Sequence, residues 1–131
     1  MTKLLLGVMA VFFFNVRSIA QDTLSVSEEV YLAVDNMPEP REGYTRFVAY
    51  VEQQIRYPQE AIDHQIEGYV FIRFVVDKNG RVIKPTILKG LGYGCDEEVL
   101  RVFKNLPPWR PGKEEGRKVA VQMTFAIIFR F

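Results

Sequence analysis

The chain is poor in the side chains that most often carry chemistry, with one cysteine and one histidine in 131 residues. Cys95 has no second cysteine with which to form an intrachain disulfide. Cys95 and His64 together cannot supply the set of ligands that a zinc site needs. The sequence therefore excludes a disulfide framework and a zinc centre, and the fold must be stabilised by its hydrophobic core.

An excess of charge of one sign is also lacking, since 17 basic and 16 acidic residues give a formal net charge of +1. The basic residues are dispersed along the chain, whereas a nucleic-acid-binding domain needs a clustered and strongly basic surface. We therefore expect no nucleic-acid partner.

The first apolar run, Leu4 to Phe14, is too short to cross a membrane, because as a helix it spans about 16 Å of a hydrocarbon core of about 30 Å. Lys3 precedes this run, and Ser18 to Ala20 provide a small-x-small cleavage site. We predict that residues 1–20 form a signal peptide that is cleaved before Gln21. An uncleaved membrane anchor is the alternative.

After the leader, the chain divides into a polar lead-in and one domain. The lead-in, residues 21–43, holds one short strand candidate, Val30–Val34, which is followed by Pro38 and Pro40. Residues 44–131 carry periodic apolar patterns and no internal repeat, so we predict that they form a single domain.

The domain begins with helical spacing. Apolar residues recur on one face of residues 44–55, at Tyr44, Phe47, Val48, Val51 and Ile55. Pro58 ends this helix and begins a short second one, PQEAIDHQI. A third helix, about residues 96–106, follows Gly94 and has acidic residues in its first turn, where the helix dipole favours them.

A β-hairpin is predicted between the second and third helices, because two β-rich runs flank the turn residues Asp77 to Gly80. The first run, residues 69–77, is apolar on both faces, so we place it at the centre of the sheet and expect both faces to be covered. The second run, residues 81–89, contains Pro85, which cannot donate to a ladder, so we place it at an edge.

The last strand is predicted to provide the open edge of the sheet. From Lys118 the chain alternates to Phe131 without a proline. This strand must pair with residues 69–77 on the side that residues 81–89 leave free. Its outer edge then aggregates, pairs with a second copy, or receives a partner strand.

No residues form the pattern of a catalytic or cofactor site. The loop GLGYG, Gly90 to Gly94, lacks the G-x-G-x-x-G spacing and precedes carboxylates that repel phosphate. Cys95 and His64 lie in separate predicted helices, and Asp63 and Glu67 lie on a short polar face typical of solvated surface. We predict no enzyme activity, cofactor, metal ligand or small-molecule substrate.

The only tryptophan, Trp109, lies in LPPWRPG between the third helix and the last strand. An exposed binding anchor is one interpretation. We favour a rigid turn that fills the core, because tryptophan buries a large area and the flanking prolines fix the backbone.

Taken in order, these segments resemble the carboxy-terminal domain of TonB energy-transducing proteins. The matching pieces are Tyr57-Pro58 followed by Ala61, then EGYVFIRFVVDKNGRV, GCDEEVLRVFKNLPPWRPGK and a final strand that ends in FRF. The match covers about residues 44–131. VYLAVDNMP in the lead-in also looks like the segment before this domain in one bacterial branch of the family, although PEPREG stands where PEFPGG is usual.

The resemblance implies an α+β fold in which a three-stranded antiparallel sheet packs against two or three helices. It also implies a periplasmic domain that binds the extended TonB-box peptide of outer-membrane receptors by strand addition, in energy-dependent transport. Carried over by position, the binding residues are Gln54, Arg56, Tyr57, Val119, Ala120, Val121, Gln122, Met123, Thr124, Phe125, Ala126 and Ile127.

Anchored transducers of this family, as the resemblance implies, also have an inner-membrane helix and a long proline-rich spacer. We find neither pattern here, so we expect a domain that binds a receptor without itself transmitting force. The alternative is an adaptor of the cell envelope that pairs with another protein, or with itself as a homodimer through the last strand.

Overall fold

The computed structural model describes residues 28–131, so the predicted signal peptide lies outside the described residues. The helices are α1 (Tyr44–Gln54), α2 (Gln59–Asp63) and α3 (Cys95–Phe103). The strands are β1 (Val30–Tyr31), β2 (Glu39–Pro40), β3 (Gly68–Val76), β4 (Val82–Lys89), β5 (Trp109–Arg110), β6 (Gly112–Glu114) and β7 (Arg117–Phe129). None of the helices described here is both long and apolar enough to span a bilayer.

The main sheet confirms the predicted order of the three long strands. β3 lies between β4 and β7 and pairs antiparallel with both. The predicted three-stranded antiparallel sheet was incomplete, because two short strands extend it to five: β1 pairs parallel with β7, and β6 pairs antiparallel with β7. The α+β class is confirmed.

One face of β3 forms the centre of the core, since Val70, Ile72, Phe74 and Val76 have no exposed surface. The prediction that both faces are covered was wrong for the first part of β3, whereas Val75 on the opposite face is buried. Tyr69 on the opposite face is 51% exposed. The helical layer packs on one side of the sheet only, and sequence alternation does not show whether a second layer exists.

The hairpin turn between β3 and β4 is closed by one carboxylate. Oδ1 of Asp77 accepts hydrogen bonds from the backbone N–H groups of Asn79 and Arg81, each at 2.9 Å. Gly80 has a φ of 82°, and its carbonyl accepts a 2.7 Å bond from the N–H of Trp109. A Cβ at Gly80 would lie 2.0 Å from the Trp109 carbonyl oxygen. Glycine at this position therefore allows the turn to contact residues 107–109, the PPW segment.

Trp109 confirms the prediction of a turn that fills the core, since its side chain is 1% exposed. Its ring packs edge-to-face against four aromatic rings at centroid distances of 5.0 to 6.2 Å. These rings belong to Tyr44, Phe47, Phe74 and Phe125. The indole Nε1 has no hydrogen-bond partner among residues 28–131, and perpendicular rings are the neighbours that accept a weak N–H to π contact.

Candidate functional site

The edge of β7 that faces away from β3 is closed by β1 at Ala120 and Val121 and is open beyond them. Residues 117–119 pair with β6, and residues 120 and 121 pair with β1. From Gln122 to Phe129, the described part of the chain provides a strand partner on the β3 side only. The structure therefore leaves one continuous stretch of unpaired strand edge, which we call the open edge (residues 122–129).

This pairing corrects the predicted extent of the edge. Val119, Ala120 and Val121 were expected to be available, but Ala120 and Val121 already pair with β1 on the side away from β3, and Val119 pairs with β6. A partner strand could reach Ala120 and Val121 only by displacing β1. The remaining predicted strand residues, Gln122, Met123, Thr124, Phe125, Ala126 and Ile127, all lie on the open edge.

Two cavities lie along the open edge, between β7 and α1. The upper cavity has a volume of about 70 Å³ and is lined by Phe47, Val48, Val51, Glu52, Phe125, Ala126, Ile127 and Ile128. The lower cavity has a volume of about 270 Å³ and is lined by Glu52, Ile55, Tyr57, Ile127, Ile128, Phe129 and Arg130. Successive β7 residues line both, although their side chains point to opposite faces, so the cavities lie against the strand edge.

The two cavities together form a groove between α1 and the open edge. The α1 residues that line this groove were not among the predicted site residues. The helical period correctly placed Val48 and Val51 in one apolar stripe, but Val48 is 45% exposed at the border of that stripe. Glu52 was not considered because it lies next to the stripe. Its position four residues after Val48, on the same helix face, was the available signal.

The predicted segment ahead of Pro58 is fixed to α3 by a small polar network. The guanidinium of Arg101 donates to the carbonyl of Gln54 at 2.8 Å, and to the Glu98 carboxylate through Nε at 3.0 Å. The backbone N–H of Arg56 donates to the same carboxylate at 2.9 Å. The carbonyl of Gln54 and the backbone N–H of Arg56 are therefore used within the fold, and the exposed side chains of Gln54 and Arg56 are what a partner can contact.

Of the predicted residues Gln54, Arg56 and Tyr57, only Tyr57 lines the groove. Its ring stacks on Phe131 at 5.0 Å and packs edge-to-face on Phe129 at 5.4 Å, and its hydroxyl donates to the carbonyl of Ile66. Burial, followed by the charge of Glu67, raises the pKa of Tyr57 further above its ordinary value. Gln54 and Arg56 do not line either cavity.

The polar network predicts a stability that depends on pH. The side-chain bond from Arg101, followed by the backbone bond from Arg56, holds the pKa of Glu98 below its ordinary value. The ionised carboxylate therefore stabilises the fold above the unfolded-state pKa of about 4.3, and this contribution is lost as the pH falls through the lower folded-state pKa. Glu98→Gln should cost about 1–2 kcal/mol at pH 7, measured by urea unfolding, and progressively less near pH 3.

Glu97→Gln is the matched control for this effect. Glu97 lies in the same helical turn and is exposed, and its side chain makes no hydrogen bond with any of residues 28–131. We expect it to change the free energy of unfolding by no more than about 0.5 kcal/mol at either pH. Equal losses for Glu97→Gln and Glu98→Gln would show that helix charge, and not the network, governs stability.

The glycine-rich loop does not offer its amides to a ligand. The backbone N–H groups of Leu91 and Gly92 donate to the two carboxylate oxygens of Asp96 at 2.9 and 3.3 Å. A Cβ at Gly90 would overlap the same carboxylate, at 2.2 Å. Asp96 therefore occupies the position that a phosphate would need, which gives a structural reason for the expectation from the sequence.

Cys95 is placed as a packing residue. Its side chain is fully buried, and burial, followed by the charges of Asp96 and Glu97, raises the pKa of its thiol. Both effects oppose the thiolate that a nucleophile or a metal ligand requires. Within residues 28–131, no cluster of histidine, cysteine and acidic side chains could hold a metal ion.

A third cavity, about 320 Å³, lies between the end of the lead-in and the PPW segment. It is lined by Pro40, Arg41, Glu42, Gly43, Arg46, Phe47, Tyr50, Pro107, Pro108 and Trp109. No β7 residue lines it, and Arg46 pairs with Glu42 across its rim at 3.6 Å. This cavity is therefore separate from the open edge.

The fold is an α+β domain whose main sheet has an unpaired strand edge, which is a surface suited to binding an extended peptide. The family model for the Gram-negative bacterial TonB protein C-terminal domain matches residues 53–131, and the chain belongs to that family. The family is one of non-catalytic transducer and binding domains.

Among solved structures, the chain is similar to the NMR structure of the TonB carboxy-terminal domain of Helicobacter pylori, with 20% identity and a TM-score of 0.42. That alignment covers 63% of this chain and 89% of the other. The comparison with curated proteins gives no match.

Proposed function

We propose that this protein binds TonB-box peptides of outer-membrane TonB-dependent receptors by adding the peptide as a strand to the open edge of β7. The observation that carries the proposal is the unpaired edge from Gln122 to Phe129 with two cavities along it. In strand addition, main-chain hydrogen bonds provide affinity, and pockets for alternate side chains provide specificity. Membership of the TonB C-terminal family supports a receptor segment as the added strand.

The proposed location is the periplasm. It depends on the predicted signal peptide, residues 1–20, and on the family, whose receptor partners lie in the outer membrane. In that compartment the domain takes part in energy-dependent transport through the receptors that it binds.

Cysteine cross-linking tests the proposed interface directly. Thr124 and Ala126 are exposed on the open edge, while the native Cys95 is fully buried and does not compete for disulfide formation. We expect Thr124→Cys and Ala126→Cys to form disulfides with receptor-derived peptides that each carry one cysteine. The preferred peptide position should shift by two residues between the two variants, because facing residues stay in register along paired strands.

Thr86→Cys is the matched control, since Thr86 is an exposed threonine on β4, at the far side of the sheet. Little cross-linking is expected there. Equal yields at Thr86 and Thr124, or no register preference, would contradict strand addition to β7. A disulfide-linked homodimer of Thr124→Cys that excludes peptide would instead favour the self-pairing alternative.

A further inference from the structure

Glu52 has a special position in the groove along the open edge. It lines both the upper and the lower cavity, and it is the one acidic side chain that lines either of them. The other shared lining residues are Ile127 and Ile128, so this carboxylate lies between apolar surfaces. A side chain that enters the groove therefore meets apolar walls and the negative charge of Glu52, and in the lower cavity also the guanidinium of Arg130.

The charge of Glu52 is not neutralised within the described part of the chain. The ion pairs among residues 28–131 join Glu42 to Arg46 and Glu98 to Arg101. Arg130 lines the lower cavity only, just beyond the end of β7, and makes no ion pair with Glu52 within 4.0 Å. Glu52 is exposed and available to a cation that comes from a partner.

The two cavities have the spacing of side chains on an added strand. They follow one another along β7 with an offset of two residues, since the upper one is lined by residues 125–128 and the lower one by residues 127–130. Side chains at positions i and i+2 of a strand point to the same face, about 7 Å apart. One such side chain would enter the upper cavity against Val48 and Val51, and the next would lie beside Glu52 and the lower cavity.

We propose that Glu52 is a specificity-determining residue that selects peptides with a lysine or arginine two positions from an apolar residue, on the peptide face toward α1. This inference rests on the proposed function, because it assumes strand addition to β7. The apolar side chain fills the upper cavity, and the basic side chain places its methylene groups against Ile127 and its charge beside Glu52.

A charge-reversal series tests the assignment with receptor-derived peptides whose register has been fixed by cross-linking. At the position facing Glu52, the peptide carries lysine, glutamine or glutamate, and affinity is measured by fluorescence anisotropy. With the native protein, the lysine peptide should bind about threefold more tightly than the glutamine peptide, the size expected for one exposed ion pair. Glu52→Gln should remove this preference, and Glu52→Lys should reverse it in favour of glutamate.

Glu60→Lys is the control, since it makes the same charge change at an exposed position on α2 outside the groove and should leave the preference intact. In 1 M salt the preference of the native protein should shrink, because the Debye length falls to about 3 Å. Equal affinities of the three peptides, with cross-linking at Thr124 retained, would overturn the role of Glu52 and leave the proposed function in place. Failure of every peptide to bind or cross-link would overturn the proposed function itself.

Discussion

Replacing Trp109 with alanine is expected to lower the free energy of unfolding by about 3–5 kcal/mol, the range for removing a fully buried aromatic side chain. The indole is 1% exposed and contacts rings from α1, β3 and β7, so its removal leaves a cavity where three elements meet. Since small domains are stable by about 5–15 kcal/mol, this change removes a large part of the total. Urea unfolding followed by circular dichroism measures it.

Two further variants keep this prediction testable if the alanine variant does not fold. Trp109→Phe retains an aromatic ring at the site and should cost less than the alanine variant. Phe131→Ala removes an aromatic side chain that is 67% exposed, and its loss should be about 1 kcal/mol or less. A loss for Phe131→Ala as large as that for Trp109→Phe would contradict the assignment of Trp109 as the centre of the aromatic core.

The sequence was sufficient to predict the long elements, because each has a strong local pattern. Pro85 placed β4 at an edge, the Asp77 to Gly80 turn fixed the hairpin, and the alternation after Lys118 gave β7. These signals depend on backbone chemistry within a few residues. They were therefore enough to predict which strand carries an unpaired edge.

The length of the open edge could not be predicted, because β1, the strand that shortens it, is too brief to show periodicity. β1 has two residues and pairs with Ala120 and Val121, about ninety positions away in the chain. Likewise, periodicity placed Val48 and Tyr69 on apolar faces without showing that no other layer covers those faces. Both side chains are about half exposed, and Val48 faces the groove.

The largest effect on function is expected from proline substitutions on the open edge. Along a paired strand, successive backbone N–H groups point alternately to the two neighbouring strands. One of the adjacent residues Met123 and Thr124 therefore directs its N–H toward β3, and the other toward an added peptide. Proline at the inward position removes a bond to β3 and should cost about 3 kcal/mol of stability, while proline at the outward position removes a donor to the peptide.

We therefore expect one variant of the pair Met123→Pro and Thr124→Pro to be destabilised, and the other to stay folded and lose peptide affinity at least about tenfold, because the ring also obstructs the edge. Thr124→Val is the matched control, since it keeps the backbone donor and a β-branched side chain on the exposed face and should bind normally. Titrations followed by NMR separate the two losses, because the spectrum reports folding and the shifts report binding. If both proline variants fold and bind the peptide normally, the interface lies elsewhere. A strand added to residues 122–129 would lose affinity in at least one of the two variants.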